Sequence, residues 1–196
     1  MRRHILDIAL QLFSTSGYSR TSTRDIARAA GMSDAGIYYH FSSKREVIEA
    51  LYEQSELVQG VERLEAYHAS GEPEEVLTQI ALSTIEALER NREILRLVIN
   101  ESLTRDEAAI KQHRDLMHRW VNAMAKLFRD YIDDGKIREI DPHVTGQSFV
   151  HAIWGAFVDN LLGSYMDDRS SEQESRTRMD GYVTRAVQYL LAGVRT

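Results

Sequence analysis

The chain has 196 residues, a net charge of −6 and no cysteine, which excludes disulfide scaffolds, zinc fingers, thiol nucleophiles and iron–sulfur clusters together. A chain this long buries about 70% of its unfolded surface without such staples. Two prolines and eleven glycines exclude a collagenous or linker-dominated chain, and the abundance of Ala, Leu, Glu, Arg and Gln predicts an all-α fold. The opening Met1-Arg2-Arg3-His4 could pass for the start of a signal peptide, but Asp7 and Gln11 interrupt the apolar stretch that would have to follow. The longest wholly apolar run, Ala152 to Val158, falls far short of the roughly 20 residues of a membrane span. The expectation is a soluble cytoplasmic protein. Its charge is uneven: residues 1–50 hold seven Arg or Lys and five Asp or Glu, so a head of +2 precedes a body of −8.

In chain order the pattern predicts about nine helices, over 2–16, 22–30, 33–40, 43–69, 73–90, 91–103, 104–134, 141–167 and 171–194. Ser22-x-x-Asp25, Ser43-x-x-Glu46, Thr104-x-x-Glu107 and Ser171-x-x-Glu174 have capping-box spacing, and Ser33 and Asn91 suit simple N-caps. Pro73 and Pro142 fit a first helical turn, where no amide is needed. Gly17, Gly31, Gly71 and Gly135 suit the left-handed residue that stops a helix.

The first helix carries an apolar stripe of Ile5, Ile8, Ala9, Leu12 and Phe13. Two short helices follow, separated by Gly31-Met32, with Ala27, Ala29 and Ala30 small enough for a close crossing; this is a helix-turn-helix candidate. On the second of them Ile37 and Phe41 face the core, so Ala35 and Tyr39 point away, with Gly36 and Tyr38 on the flanks. A face of Ala, Gly and two tyrosines has little reason to sit in water. Small residues let a backbone approach a partner, and tyrosine hydroxyls bond phosphate oxygens. Ile26 and Ala30 are inward, so Arg24 and Arg28 project outward, and Tyr18 is read as core after the Gly17 stop. Lys44 opens a helix where its cation gains nothing from the dipole, and is better explained as a reach towards a phosphate.

The stretch Ile5 to Leu51 resembles the DNA-binding domain of the tetracycline-repressor (TetR) family of bacterial transcription regulators. The residues that carry the resemblance are Ala9-x-x-Leu12-Phe13, Gly17-Tyr18, Thr21-Ser22-Thr23-Arg24-Asp25-Ile26-Ala27, Ala30-Gly31-Met32-Ser33, Ile37-Tyr38-Tyr39-His40-Phe41 and Ser43-Lys44. The resemblance implies a DNA-binding domain over residues 1–50 and an effector-binding and dimerisation domain over 51–196, joined by the long fourth helix. It implies that Thr23, Tyr38 and Lys44 contact phosphates, that Arg24 reads a base, and that Tyr39 and His40 meet backbone or bases. Ser33, Asp34, Ala35 and Gly36 then form the leading turn of the recognition helix. Two positions depart from the family's pattern. Ala35 replaces a common glycine and offers a methyl to a thymine, while the charge of Asp34 repels phosphates and suits a cytosine amine.

In the body, the segment 141–167 combines glycines with large apolar residues, and 171–194 carries a further apolar stripe. Gly155, Ala156, Val183, Val187 and Leu190 are the candidate homodimer contacts. His113, Met117, Trp120 and Met124, at spacings of four, three and four, line one helix face; with Asn100, His151 and Trp154 they are the candidate wall of a site for a mainly apolar or aromatic effector. An ordinary core stripe has the same spacing. Enzymatic readings lack parts: His113 and His118 sit on different helix faces, and no HExxH, Walker loop, Rossmann glycine run or GxSxG elbow occurs. Neither cofactor nor metal is expected. The functional expectation is a ligand-responsive DNA-binding repressor, homodimeric on a palindromic operator; the alternative is a helical protein-binding adaptor or small-molecule binder without DNA-binding regulation.

Overall fold

The computed structural model describes residues 1–103, 107–162 and 172–193, and within them all side chains except those of 100–103, 107–109, 112, 172, 173 and 175. The described residues form ten helices and no strand: α1 Arg2–Ser16, α2 Thr23–Ala29, α3 Asp34–His40, α4 Lys44–Glu53, α5 Glu56–Glu65, α6 Pro73–Arg90, α7 Arg92–Leu103, α8 Glu107–Asp133, α9 Pro142–Leu161 and α10 Glu172–Ala192. Pro73 and Pro142 open their helices, and Asp141 caps α9 by accepting from the amides of His143 (2.9 Å) and Val144 (3.0 Å). Gly17, Gly31, Gly71 and Gly135 all adopt positive φ. The predicted caps Thr104 and Ser171 lie outside the described residues.

One predicted helix is two. The segment 43–69 breaks at Gln54–Ser55, where the Ser55 amide turns back to the Tyr52 carbonyl at 3.0 Å. Side-chain phase explains the break. Val47, Ile48, Leu51, Tyr52 and Ser55 are buried on one face, and an unbroken helix would continue that face with Val58, Gln59 and Glu62. After the break Leu57 and Val61 are the buried residues, and Glu62 stays exposed.

The chain divides into two compact units, Met1–Val58 with Asn91–Lys111 and Gln59–Arg90 with Gln112–Thr196. The first is built on Ile5, Leu6, Ala9 and Phe13 of α1, Ile26 and Ala27 of α2, Ile37 of α3 with Phe41 after it, and Val47, Ile48 and Leu51 of α4; Leu97 of α7 packs on the same core. In the second unit α10 packs on α6 and α9, and α6 on α9. Phe128 of α8 meets Phe149 of α9 edge-on, ring centroids 6.4 Å apart. The end of α5 and the loop after it are tied to α8: Arg119 grips Glu65 with two bonds of 2.9 and 2.7 Å, and Lys126 donates to the Tyr67 carbonyl at 2.9 Å.

Gly146 marks a close approach of α9 to α8. A Cβ there would stand 2.9 Å from the Ala125 amide nitrogen and 3.2 Å from the Val121 carbonyl oxygen, both rigid backbone. Gly146→Ala is therefore expected to destabilise the chain by about 1–3 kcal/mol, the usual scale for overpacking, despite alanine's better helix propensity. Urea unfolding of the variant against wild type checks this, and an unchanged or raised midpoint would contradict the close approach.

Candidate nucleic-acid interface

The helices α2 and α3 have seven residues each, too few to persist alone in water, so caps and packing must hold them. Ser22 and Asp25 form a full capping box: the Ser22 hydroxyl accepts from the Asp25 amide at 3.2 Å, and the Asp25 carboxylate accepts from the Ser22 amide at 2.9 Å. Ser33 caps α3 by accepting from the Gly36 amide at 3.1 Å. Between the helices Gly31, at φ 66°, donates to the Arg28 carbonyl, and Met32 donates to Ala27 at 2.8 Å. That pair of hydrogen bonds is the Schellman stop, which a side chain at residue 31 would strain. Packing completes the unit, with Ile26, Ala27 and Ile37 wholly buried and Phe41 1% exposed.

Burial of Ile37 and Phe41 turns the opposite side of α3 outward. Tyr39 is 86% exposed and Tyr38 52%, and Ser33, Asp34 and Ala35 are exposed beside them. Two polar pairs join this surface to the start of α2. The Thr23 and Tyr38 hydroxyls are 3.1 Å apart, and Arg24 Nε lies 3.2 Å from Asp34 Oδ2. His40 is half-buried, its ring 5.1 Å from that of Tyr39.

Lys44 is turned back onto the head's own backbone. Its Nζ donates to the Tyr18 carbonyl at 2.7 Å and lies 4.0 Å from the Tyr18 ring centre. Tyr18 in turn meets Phe13 edge-on at 5.1 Å. The ammonium thus fastens the turn after α1 to the start of α4. Arg2 does the same for the end of α3: it donates to the His40 carbonyl at 3.1 Å, covers the Phe41 ring at 4.3 Å and lies 3.8 Å from Glu46. Sequence reasoning missed Arg2, because its partners lie about 40 positions away and no local pattern announces them.

Capping also sets the acid chemistry of the head. The Ser22 hydroxyl and amide hold the Asp25 carboxyl below its ordinary value, and the amide and hydroxyl of Ser42 do the same for Glu46. The box at Ser43 is thereby offset: Ser43 accepts from the Glu46 amide, but the Glu46 carboxylate reaches back to Ser42.

The body candidates are spread over several environments. His113 of α8 and Trp154 of α9 lie 5.1 Å apart, Trp154 lies 5.8 Å from Phe157, and burial lowers the His113 pKa. Met117 and Trp154 are half-buried, whereas Trp120 and Met124 are buried and His151 is exposed. The Asn100 side chain is outside the described ones. Ala156, Val183 and Val187 are buried within the chain, the two valines lining an apolar cleft between α9 and α10 with Phe149, Ile153 and Leu190. Gly155 is half-buried, and a Cβ on it would meet nothing within 4 Å. Among the described residues no helix is long and apolar enough to cross a membrane.

Residues 5–51 match the profile of the bacterial regulatory proteins, tetR family. The HTH-type transcriptional regulator AcrR of Shigella flexneri is 38% identical over 116 residues, which span 57% of this chain and 54% of AcrR. The uncharacterized HTH-type transcriptional regulator YvkB of Bacillus subtilis is 27% identical over 81% of this chain and 82% of its own. The fold matches SmeT, the repressor of a multidrug efflux pump of Stenotrophomonas maltophilia, over 100% of this chain and 91% of SmeT, with a TM-score of 0.76 at 21% identity; in its complex with triclosan SmeT scores 0.81.

The lowered carboxyls predict an acid limb to stability. Folded Asp25 and Glu46 give up protons more readily than the unfolded chain does, so the stability they lend is full above their ordinary values of 3.8 and 4.5 and is lost as pH falls through the lower folded ones. A double Asp25→Asn, Glu46→Gln variant should show a shallower fall in urea midpoint below pH 5 than wild type. Equal slopes would contradict this.

Proposed function

We propose that this protein is a ligand-responsive DNA-binding regulator, a repressor that grips a palindromic operator as a homodimer; the match of residues 5–51 to the tetR-family profile and the similarity to the transcriptional regulator AcrR support the reading. The observation that carries the reading is the exposed face of α3. Two tyrosines and a small leading turn stand in water beside Thr23 and Arg24, held in place by polar pairs at the surface but outside the apolar core. A major groove about 12 Å wide accepts such a helix. Thr23 and Tyr38 would donate to one stretch of phosphate backbone and Arg24 would read a guanine, with Ser33 to Gly36 nearest the base edges. Tyr39 and His40 would flank them. Lys44 donates to the Tyr18 carbonyl, so part of its role is to hold the head together; an ammonium carries three donors, so contact with a phosphate would not require giving that bond up.

DNA binding is assigned to residues 1–50, and effector binding and dimerisation to 51–196. Two recognition helices must enter successive major grooves about 34 Å apart, which requires a pair of subunits. Support for an α9–α10 interface comes from Gly155, a helix-interior glycine with open space over it, from half-buried Leu190, and from Tyr182 and Tyr189, exposed on α10. Ala156, Val183 and Val187 would shape that surface from beneath. For the effector, the half-exposed rings of His113 and Trp154 with Met117 offer an apolar and aromatic wall, backed by Trp120 and Met124. SmeT, similar in fold, binds the aromatic compound triclosan. Release of DNA demands that the effector bind the two states unequally, and a coupling of about 1–3 kcal/mol suffices.

Duplex binding across salt concentrations tests the reading. A palindrome selected from a random pool should bind with affinity that falls steeply with salt. Arg24→Ala should lose about 1–3 kcal/mol of preference at one base pair in each half-site. Bound duplex should be released by an aromatic probe such as triclosan, with quenching of Trp120 and Trp154 fluorescence. Failure of wild type to bind any duplex would turn the assignment towards a protein-binding adaptor of the same fold.

A further inference from the structure

The Arg24–Asp34 pair bridges the second residue of α2 and the first of α3, with Nε 3.2 Å from Oδ2. Both side chains are exposed, at 75% and 57%, and such a pair adds little to folding. Its geometry matters in another way. A guanidinium offers two forks of donors, one made by Nε with a terminal nitrogen and one made by the two terminal nitrogens. Asp34 makes its closest approach to this guanidinium at Nε, not at a terminal nitrogen.

The charge of Asp34 supports the same conclusion. A lone carboxylate at the head of a recognition helix repels phosphates, whereas one engaged with Arg24 is neutralised. The pair then adds almost no net charge to the binding face, so what it contributes is direction. Directional reading of a base by arginine needs both donors in the plane of guanine O6 and N7, and a long side chain that is otherwise free must be held to give it.

We propose that Asp34 is a positioning residue for Arg24: the carboxylate holds Nε so that the two terminal nitrogens of Arg24 read a single guanine, and the ion pair persists on DNA. The proposal rests on the DNA-binding reading above and deepens it by naming what fixes specificity at that base pair. It differs from Asp34 reading a cytosine amine by itself, because the two roles act at different bases.

Affinity measured for the selected palindrome with each base pair replaced in turn separates them. Wild type, Arg24→Ala, Asp34→Ala, Asp34→Asn and the Arg24→Ala, Asp34→Ala double variant are compared, with thermal melting of each as the folding control. Wild type should prefer guanine at Arg24's base pair by about 5- to 150-fold, and Arg24→Ala should abolish that preference. Asp34→Ala should weaken the preference at that same base pair by roughly two- to fivefold, the scale of an exposed ion pair, and leave other positions unchanged. In the Arg24→Ala background it should weaken it no further, since the two residues act as one unit. Asp34→Asn starts a helix as well as aspartate does, so it separates the roles: it should lose guanine preference like Asp34→Ala, which a merely structural residue would not. Both Asp34 variants should bind unrelated duplex more tightly than wild type, having shed a negative charge. The proposal is overturned if Asp34→Ala and Asp34→Asn keep full guanine preference at Arg24's base pair, or if they lose preference only at a different one. Wild type that binds no duplex overturns the DNA-binding reading itself, an outcome visible before any variant is compared.

Discussion

The burial of Ile26, Ile37 and Phe41 in one apolar cluster is the constraint on which the head depends. Seven-residue helices gain too little from their own hydrogen bonds to persist, so α2 and α3 exist because that cluster removes their inner faces from water. The same burial dictates what is shown outside. With Ile37 and Phe41 fixed inward, helical geometry leaves Ala35 and Tyr39 no choice but to face outward, and the pairs Thr23–Tyr38 and Arg24–Asp34 then tie α2 to α3 across their exposed edges. Core and candidate interface are two sides of one packing decision.

Much of this was legible locally. The four glycines read as helix stops all take positive φ, both prolines open helices, and Ser22 with Asp25 forms the capping box its spacing announces. These signals act within four residues, and so they can be read from a string of letters. The break at Gln54–Ser55 could not, since neither residue is a breaker by type. It arises from a shift of phase between Leu51 and Leu57, visible only once the buried face is known. The second box was half legible: Ser43 caps as its spacing predicts, yet Glu46 bonds Ser42 instead, one residue further back.

Long-range partnerships set the limit of sequence reading at the site. Arg2 looked like part of a charged leader, but it straps the end of α3; Lys44 looked like a cation seeking phosphate, yet it also holds the Tyr18 carbonyl. In both cases a flexible basic side chain settles on a backbone carbonyl many residues away, and nothing in the letters specifies which one. The body shows the same limit. Met117, Trp120 and Met124 share a stripe whose spacing suits a core and a ligand wall equally, and the structure grades them from half-buried Met117 to wholly buried Met124.

Oxidative footprinting of tyrosine side chains tests most directly whether the burial of Ile37 and Phe41 decides which surface meets DNA. Nine tyrosines are spread along the chain, which gives internal controls. Adding the selected duplex should protect Tyr38 and Tyr39 from hydroxyl radicals and leave Tyr182 and Tyr189, in the body, at their DNA-free rates. Unchanged rates at Tyr38 and Tyr39 under saturating duplex, or protection confined to the body, would contradict the account.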